Sequence, residues 1–202
     1  MHVYLIRHGE TDWNDRLLFQ GHTDVSLNKN GIRQAEYIAD ELKNVNFDVV
    51  FSSDLKRALK TAQIIKKTTG FKGNIIKTKD LRERNYGSFE GKNYEIFRYN
   101  RKDFDGETDR NFFKRIDNFF NSIIKRHAGK NVVIVTHGGV VRRIISEVLG
   151  LKDYKKIRIY NASISEIYYD EKRKKILLLN LNCMAHFPKK ERIKIRKNIT
   201  GV

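Results

Sequence analysis

Two histidines in this sequence close apolar runs and are followed by glycine: His8 in Leu5-Ile6-Arg7-His8-Gly9 and His137 in Val135-Thr136-His137-Gly138-Gly139. Short β-branched apolar runs of this kind read as buried strands, so each imidazole is expected at a strand's carboxyl end. In open parallel sheets ligands collect just beyond those ends. A glycine beside each histidine permits a tight turn and close approach of backbone to a ligand, and Gly138-Gly139 lead into a helix whose first N–H groups can bind an anion. Arg7 adjoins His8, and Arg57 falls early in a helix after the strand that ends near residue 53. A planar guanidinium can hold two phosphate oxygens at once. Two imidazoles and two guanidiniums converging on one point would be costly to bury without an anion. They suit phosphoryl transfer: a neutral imidazole attacks phosphorus, and nearby arginines depress its protonation.

The elements needed to position these groups follow from periodicity. Strands are expected at 2–7, 48–51, 75–78, 131–136, 164–169 and 176–181. Helices are expected at 31–43, 55–69, 108–127 and 140–149, with stripes such as Ile32, Ala35, Ile38, Ala39 and Leu42, and Phe112, Ile116, Phe119, Phe120 and Ile123. Ser53 or Asp54 is expected to cap the second helix. The segment 10–29 is glycine-punctuated and polar, without a helical period, and reads as a loop. Alternating strands and helices imply an α/β fold with a largely parallel sheet covered on both faces. No repeat, linker or composition break divides the chain, so residues 1–202 read as one domain with a basic tail at 188–202.

Composition sets bounds on function. The 202 residues are 40% hydrophobic and 11% aromatic, enough for a core. One cysteine, Cys183, excludes an intrachain disulfide, and His22, His127 and His186 lack metal-ligand spacing. The opening apolar stretch is too short for a signal peptide and is broken by charge, and no run approaches a membrane span. The expected location is therefore cytoplasmic, with no membrane partner. Lys and Arg exceed Asp and Glu by 17, and the segment 189–202 has six basic residues against Glu191 alone. That surplus favours anionic partners, but a solvated basic surface explains it more simply than a nucleic-acid site.

The motifs together resemble the histidine phosphatase superfamily, also called the phosphoglycerate mutase-like family. Leu5 to Thr11 (LIRHGET) resembles its signature, and Asn14 with Gln20 to Leu27 (QGHTDVSL) its following loop. Leu27 to Ala35 (LNKNGIRQA), Ser52 to Thr61 (SSDLKRALKT), Leu81 to Gly91 (LRERNYGSFEG), Val135 to Val140 (VTHGGV) and Asn161 to Ile164 (NASI) continue the match in order. The resemblance implies the family's three-layer α/β/α fold and a metal-independent reaction without a cofactor. It makes His8 the nucleophile that becomes phosphohistidine. Arg7, Arg57 and His137 hold the phosphoryl group with Asn14 in support, and Glu83 serves as acid and then base. Gln20, Gly21, Thr23, Arg84, Tyr86 and Gly138 are candidate substrate contacts, with Arg98, Tyr99 and Arg101 nearby in sequence.

The interval between acid loop and second histidine motif, residues 84–136, is short, as in the compact phosphatases of the family. Arg84-Asn85-Tyr86-Gly87 echoes the mutases, although Asn85 stands where they usually have histidine, whereas Phe89-Glu90-Gly91 and Tyr94 to Phe97 resemble phosphatases of broad-specificity and α-ribazole type. The expected function is hydrolysis of a small phosphorylated metabolite. A cofactor-dependent phosphoglycerate mutase is the alternative, and a non-catalytic basic module that binds phosphate or nucleic acid is a second. Oligomeric state is not legible, and a homodimer stays open.

Overall fold

The computed structural model describes residues 1–95 and 101–192. Its six strands are β1 (His2–Arg7), β2 (Val49–Ser53), β3 (Ile75–Thr78), β4 (Asn131–Thr136), β5 (Ile164–Asp170) and β6 (Lys175–Cys183), in spatial order β3-β2-β4-β1-β5-β6. The first four in that order run parallel, and β5 and β6 are antiparallel additions. The helices are α1 (Asp12–Asp15), α2 (Lys29–Glu41), α3 (Lys56–Thr69), α4 (Asp109–Arg126) and α5 (Gly138–Val148). One face of the sheet packs on α4 and α5 through Phe112, Ile116, Phe119, Val141 and Ile144. The other packs on α2 and α3 through Ile38, Ala39, Leu42, Ala58, Ala62 and Ile65. This is the three-layer α/β/α arrangement, and the phenylalanine stripe of α4 is core.

Local details differ from the sequence expectation for identifiable reasons. The segment 10–29 includes the single-turn helix α1, made by reciprocal capping: the Asn14 amide donates to the Thr11 hydroxyl at 3.2 Å, and Thr11 N–H donates to Asn14 Oδ1 at 3.1 Å. A turn this short has no periodicity to read. Neither Ser53 nor Asp54 caps α3. Leu55 occupies the N-cap without a side-chain bond, Asp54 is taken by a two-pronged pair with Arg82, and Asp24 from a distant loop accepts the Lys56 amide at 2.7 Å. Ile32 falls at the edge of the α2 stripe and is 37% exposed. No helix among the described residues is long and apolar enough to cross a membrane.

The register of β1 against β4 positions the chemistry. Arg7 lies opposite Thr136, so the next residue on each strand is a histidine. The His8 amide extends the ladder by donating to Thr136 O at 2.9 Å. On the far side of β4, Ser52 of β2 lies opposite Val135, which brings Ser53 and the start of α3 to the same end.

Candidate active site

Three parallel strands end side by side at a hollow lined by Arg7, His8, Asn14, Gln20, Gly21, Arg57, Glu83, Tyr86 and Gly138. The His8 and His137 rings stand edge-on with centroids 5.1 Å apart. His8 Nδ1 is 2.6 Å from Gly9 O, and a carbonyl can only accept, so the proton sits on Nδ1 and the Nε2 lone pair is bare. Burial, reinforced by Arg57 and Arg7, holds its pKa well below the ordinary imidazole value. The ring is therefore neutral.

His137 is fully buried behind the hollow. Its Nδ1 accepts from Arg57 Nε at 3.2 Å, which leaves the proton on Nε2, donated to Ser53 Oγ at 2.9 Å. Burial and then Arg57, His8 and Arg7 push its pKa well down as well. Arg57 is equally buried, yet burial brings its pKa only to about 10, so it stays charged at neutral pH. Its Nη1 donates to Thr23 O at 2.9 Å and its Nη2 to Gly21 O at 2.8 Å. With Nε on His137, three of the five guanidinium N–H groups are engaged, and one on each terminal nitrogen is left to meet an anion. Arg7 donates from Nη1 to Ile159 O at 2.6 Å, while its buried Nε meets no hydrogen-bond partner among the described residues. The site is arranged for an anion.

Glu83 faces the hollow because its neighbours do not compete for it. Arg82 turns to Asp54, and Arg84 to Asp109 at 2.5 Å. The Glu83 oxygens accept the Arg84 amide and the Gly139 amide, each at 2.9 Å. The Gly139 N–H expected to meet a ligand thus meets the carboxylate instead. A Cβ at position 139 would lie 2.2 Å from Glu83 Oε1, so only glycine leaves room. The Glu83 carbonyl is fixed by His22 Nε2 at 3.0 Å and Arg115 Nη2 at 2.9 Å.

The candidate substrate contacts separate into two groups. Asn14, Gln20, Gly21, Tyr86 and Gly138 line the hollow. Thr23 does not; it supplies a carbonyl to Arg57 and turns its side chain to Glu90. Arg84 also stands aside, donating from Nε to Glu107 O at 2.7 Å with its guanidinium over Phe104, beside a smaller adjoining cavity. Its neighbours Glu107 and Asp109 claim it. Arg98 and Tyr99 fall outside the described residues, and so does the side chain of Arg101. His186 donates to Ala162 O at 3.0 Å and is structural.

Some residues at the site carried no role in the sequence reading. Asn161 lines the hollow and donates from Nδ2 to His8 O at 3.3 Å, Gly9 O at 3.4 Å and Asn14 Oδ1 at 3.1 Å. Because Thr11 and Asn161 both use Asn14 Oδ1, the Asn14 amide nitrogen is the end presented to a ligand. Arg142 enters the hollow four residues after Gly138, on the same helix face, a spacing that could have been read. Arg115 binds the carbonyls of Asp80, Arg82 and Glu83, a contact that no local pattern announces.

Comparison with known proteins places this arrangement. Residues 3–182 match the model of the histidine phosphatase superfamily (branch 1). The chain is 39% identical over 158 residues to phosphoglycerate mutase-like protein 4 of Arabidopsis thaliana, covering 70% of this chain and 68% of that one. It is 34% identical over 187 residues to the metal-independent phosphoserine phosphatase of the same plant, covering 85% and 77%. The crystal structure of a phosphoserine phosphatase mutant from Entamoeba histolytica in complex with phosphoserine superimposes with a TM-score of 0.81 at 28% identity, over 93% of this chain and 99% of that one. This chain belongs to the histidine phosphatase superfamily. Its activity is that of a phosphatase of this superfamily, as the motifs implied.

Proposed function

We propose that this protein hydrolyses small phosphomonoesters through a phosphohistidine at His8, with substrates among phosphorylated hydroxy- and amino acids such as phosphoserine. The observation that carries the reading is the neutral His8 ring, its Nε2 bare, set in a hollow walled by Arg7 and Arg57. Nε2 attacks phosphorus, a P–N bond forms, and the ester P–O bond breaks. Glu83 gives the departing oxygen its proton and then takes one from the water that attacks phosphorus. The P–N bond breaks, inorganic phosphate leaves, and His8 regains its lone pair. Arg7, Arg57 and the Asn14 side-chain amide hold the phosphoryl oxygens, and their fixed positive ends stabilise the charge that develops there. His137, expected from the sequence to join them, has both ring nitrogens engaged by Arg57 and Ser53 and acts from behind by orienting Arg57.

Phosphoserine phosphatases stand among the relatives of this chain, and the polar walls of the hollow suit a compact charged substrate. A cytoplasmic location fits such a metabolite, and residues 1–202 read as one catalytic domain. Turnover of p-nitrophenyl phosphate and phosphoserine is the test, with vanadate as inhibitor and His8→Ala as control. Metal-independent phosphate release, blocked by vanadate and lost in His8→Ala, is expected. Turnover that survives in His8→Ala removes the nucleophile. Interconversion of 2- and 3-phosphoglycerate without phosphate release replaces hydrolysis with the mutase reaction. DNA binding without turnover leaves the basic module.

A further inference from the structure

Glu90 has no part in these steps, yet it is one of the most heavily engaged carboxylates near the site. Its Oε1 accepts the His22 amide at 2.8 Å and the Tyr86 amide at 3.1 Å. Its Oε2 accepts the Thr23 amide at 2.8 Å and the Thr23 hydroxyl at 2.6 Å. Three of these donors come from the loop after α1 and one from the acid loop that carries Glu90 itself, so a single carboxylate ties the acid loop to residues 67 and 68 positions away. Bonds from N–H or O–H to an ionised acceptor are short and strong, and leaving such donors unmet is costly.

What the pinned loop does is specific. Gly21 O and Thr23 O, which flank the His22 and Thr23 amides, are the acceptors for both terminal nitrogens of Arg57. Gly21 sits at φ +49°, and a Cβ there would lie 2.0 Å from Glu90 Oε1, so carboxylate and loop backbone are in contact. We propose that Glu90 is a positioning residue for phosphoryl binding: by fixing the carbonyls of Gly21 and Thr23, it sets the direction in which the Arg57 guanidinium presents its remaining N–H groups. The Glu90 charge acts in the same sense, since with Glu83 and Asp24 it favours the charged form of the buried arginine.

The inference rests on the reading of Arg57 as a phosphoryl ligand, and a double-mutant cycle separates the two. Wild type, Glu90→Gln, Arg57→Ala and the double variant are compared for kcat and KM with p-nitrophenyl phosphate and for inhibition by vanadate, after thermal melts show each is folded. Glutamine keeps the length but loses one acceptor oxygen. Glu90→Gln should weaken vanadate and lower kcat/KM by about tenfold or more. On the Arg57→Ala background the same change should move either quantity by less than about twofold. A full effect on that background, or wild-type behaviour of Glu90→Gln, overturns the proposal. If Glu90→Gln does not fold, Thr23→Val removes the 2.6 Å bond alone and enters the same cycle with a smaller expected effect; additivity there overturns it equally. Wild-type protein without vanadate-sensitive turnover removes the role of Arg57 itself.

Discussion

Arg57 and His137 are joined side chain to side chain, Nε to Nδ1 at 3.2 Å, across 80 positions of sequence. The bond fixes the tautomer of one and the plane of the other in a single stroke. His137 is kept neutral with its proton toward Ser53, and Arg57 is turned so that its terminal nitrogens face the carbonyls of one loop and the hollow.

Lysine cannot reproduce this geometry, because an ammonium has no fixed fork to serve His137, Gly21 O and Thr23 O together. Arg57→Lys should lower kcat/KM for p-nitrophenyl phosphate by about 10²–10³-fold, the range for loss of a fixed transition-state donor. Steady-state kinetics on the folded variant check this. A loss below about threefold would mean that charge alone suffices.

The pH dependence follows from the buried imidazoles. His8 and His137 both have folded-state pKa values well below 6.5, chiefly through burial, and His186 is pushed down to about 4. Around and below pH 6.5 the unfolded chain therefore binds more protons than the folded one, so stability rises with pH in that window. Their contribution is least adverse above pH 6.5 and worsens as pH falls through the unfolded value. Thermal melts from pH 8 to pH 5 should show a falling Tm, and kcat/KM should show no acid limb at 6.5 from the nucleophile. An acid limb of kcat/KM with its midpoint near 6.5 would contradict the neutral ring.

A methyl group at position 139 has no space beside Glu83. Gly139→Ala should displace the carboxylate, and the harm should depend on the leaving group. Alkyl phosphates, whose departing oxygen needs a proton, should lose about 10²-fold, while p-nitrophenyl phosphate should lose far less. Equal losses on both would show that the substitution damages something other than proton transfer.

Asn161 holds the turn after β1 and fixes which end of the Asn14 amide faces the hollow. Asn161→Asp cannot donate to these acceptors and brings a negative charge to an anion site. Vanadate affinity should fall about tenfold or more, and more than in Asn161→Ala. Titration of inhibition checks the order of the two, and the reverse order would argue against an electrostatic effect.

The sequence by itself determined the sheet, its helices and the identity of the principal groups. Short continuous apolar runs and stripes of period three to four are local properties, and Arg7, His8 and His137 belong to strand ends wherever those strands lie. The tertiary structure decided which groups meet. Arg84 was a plausible contact by its place in the chain, but Asp109 and Glu107 claim it, and no pattern within residues 81–91 contains them. Asp54 looked like a cap until Arg82 was placed opposite it. The work of Glu90, Arg115 and Asn161 lies in hydrogen bonds to backbone atoms far away in sequence. Every residue carries those atoms, so such contacts leave no mark in the order of side chains. They come into being only when the register of β1 on β4 brings the loops to one end of the sheet.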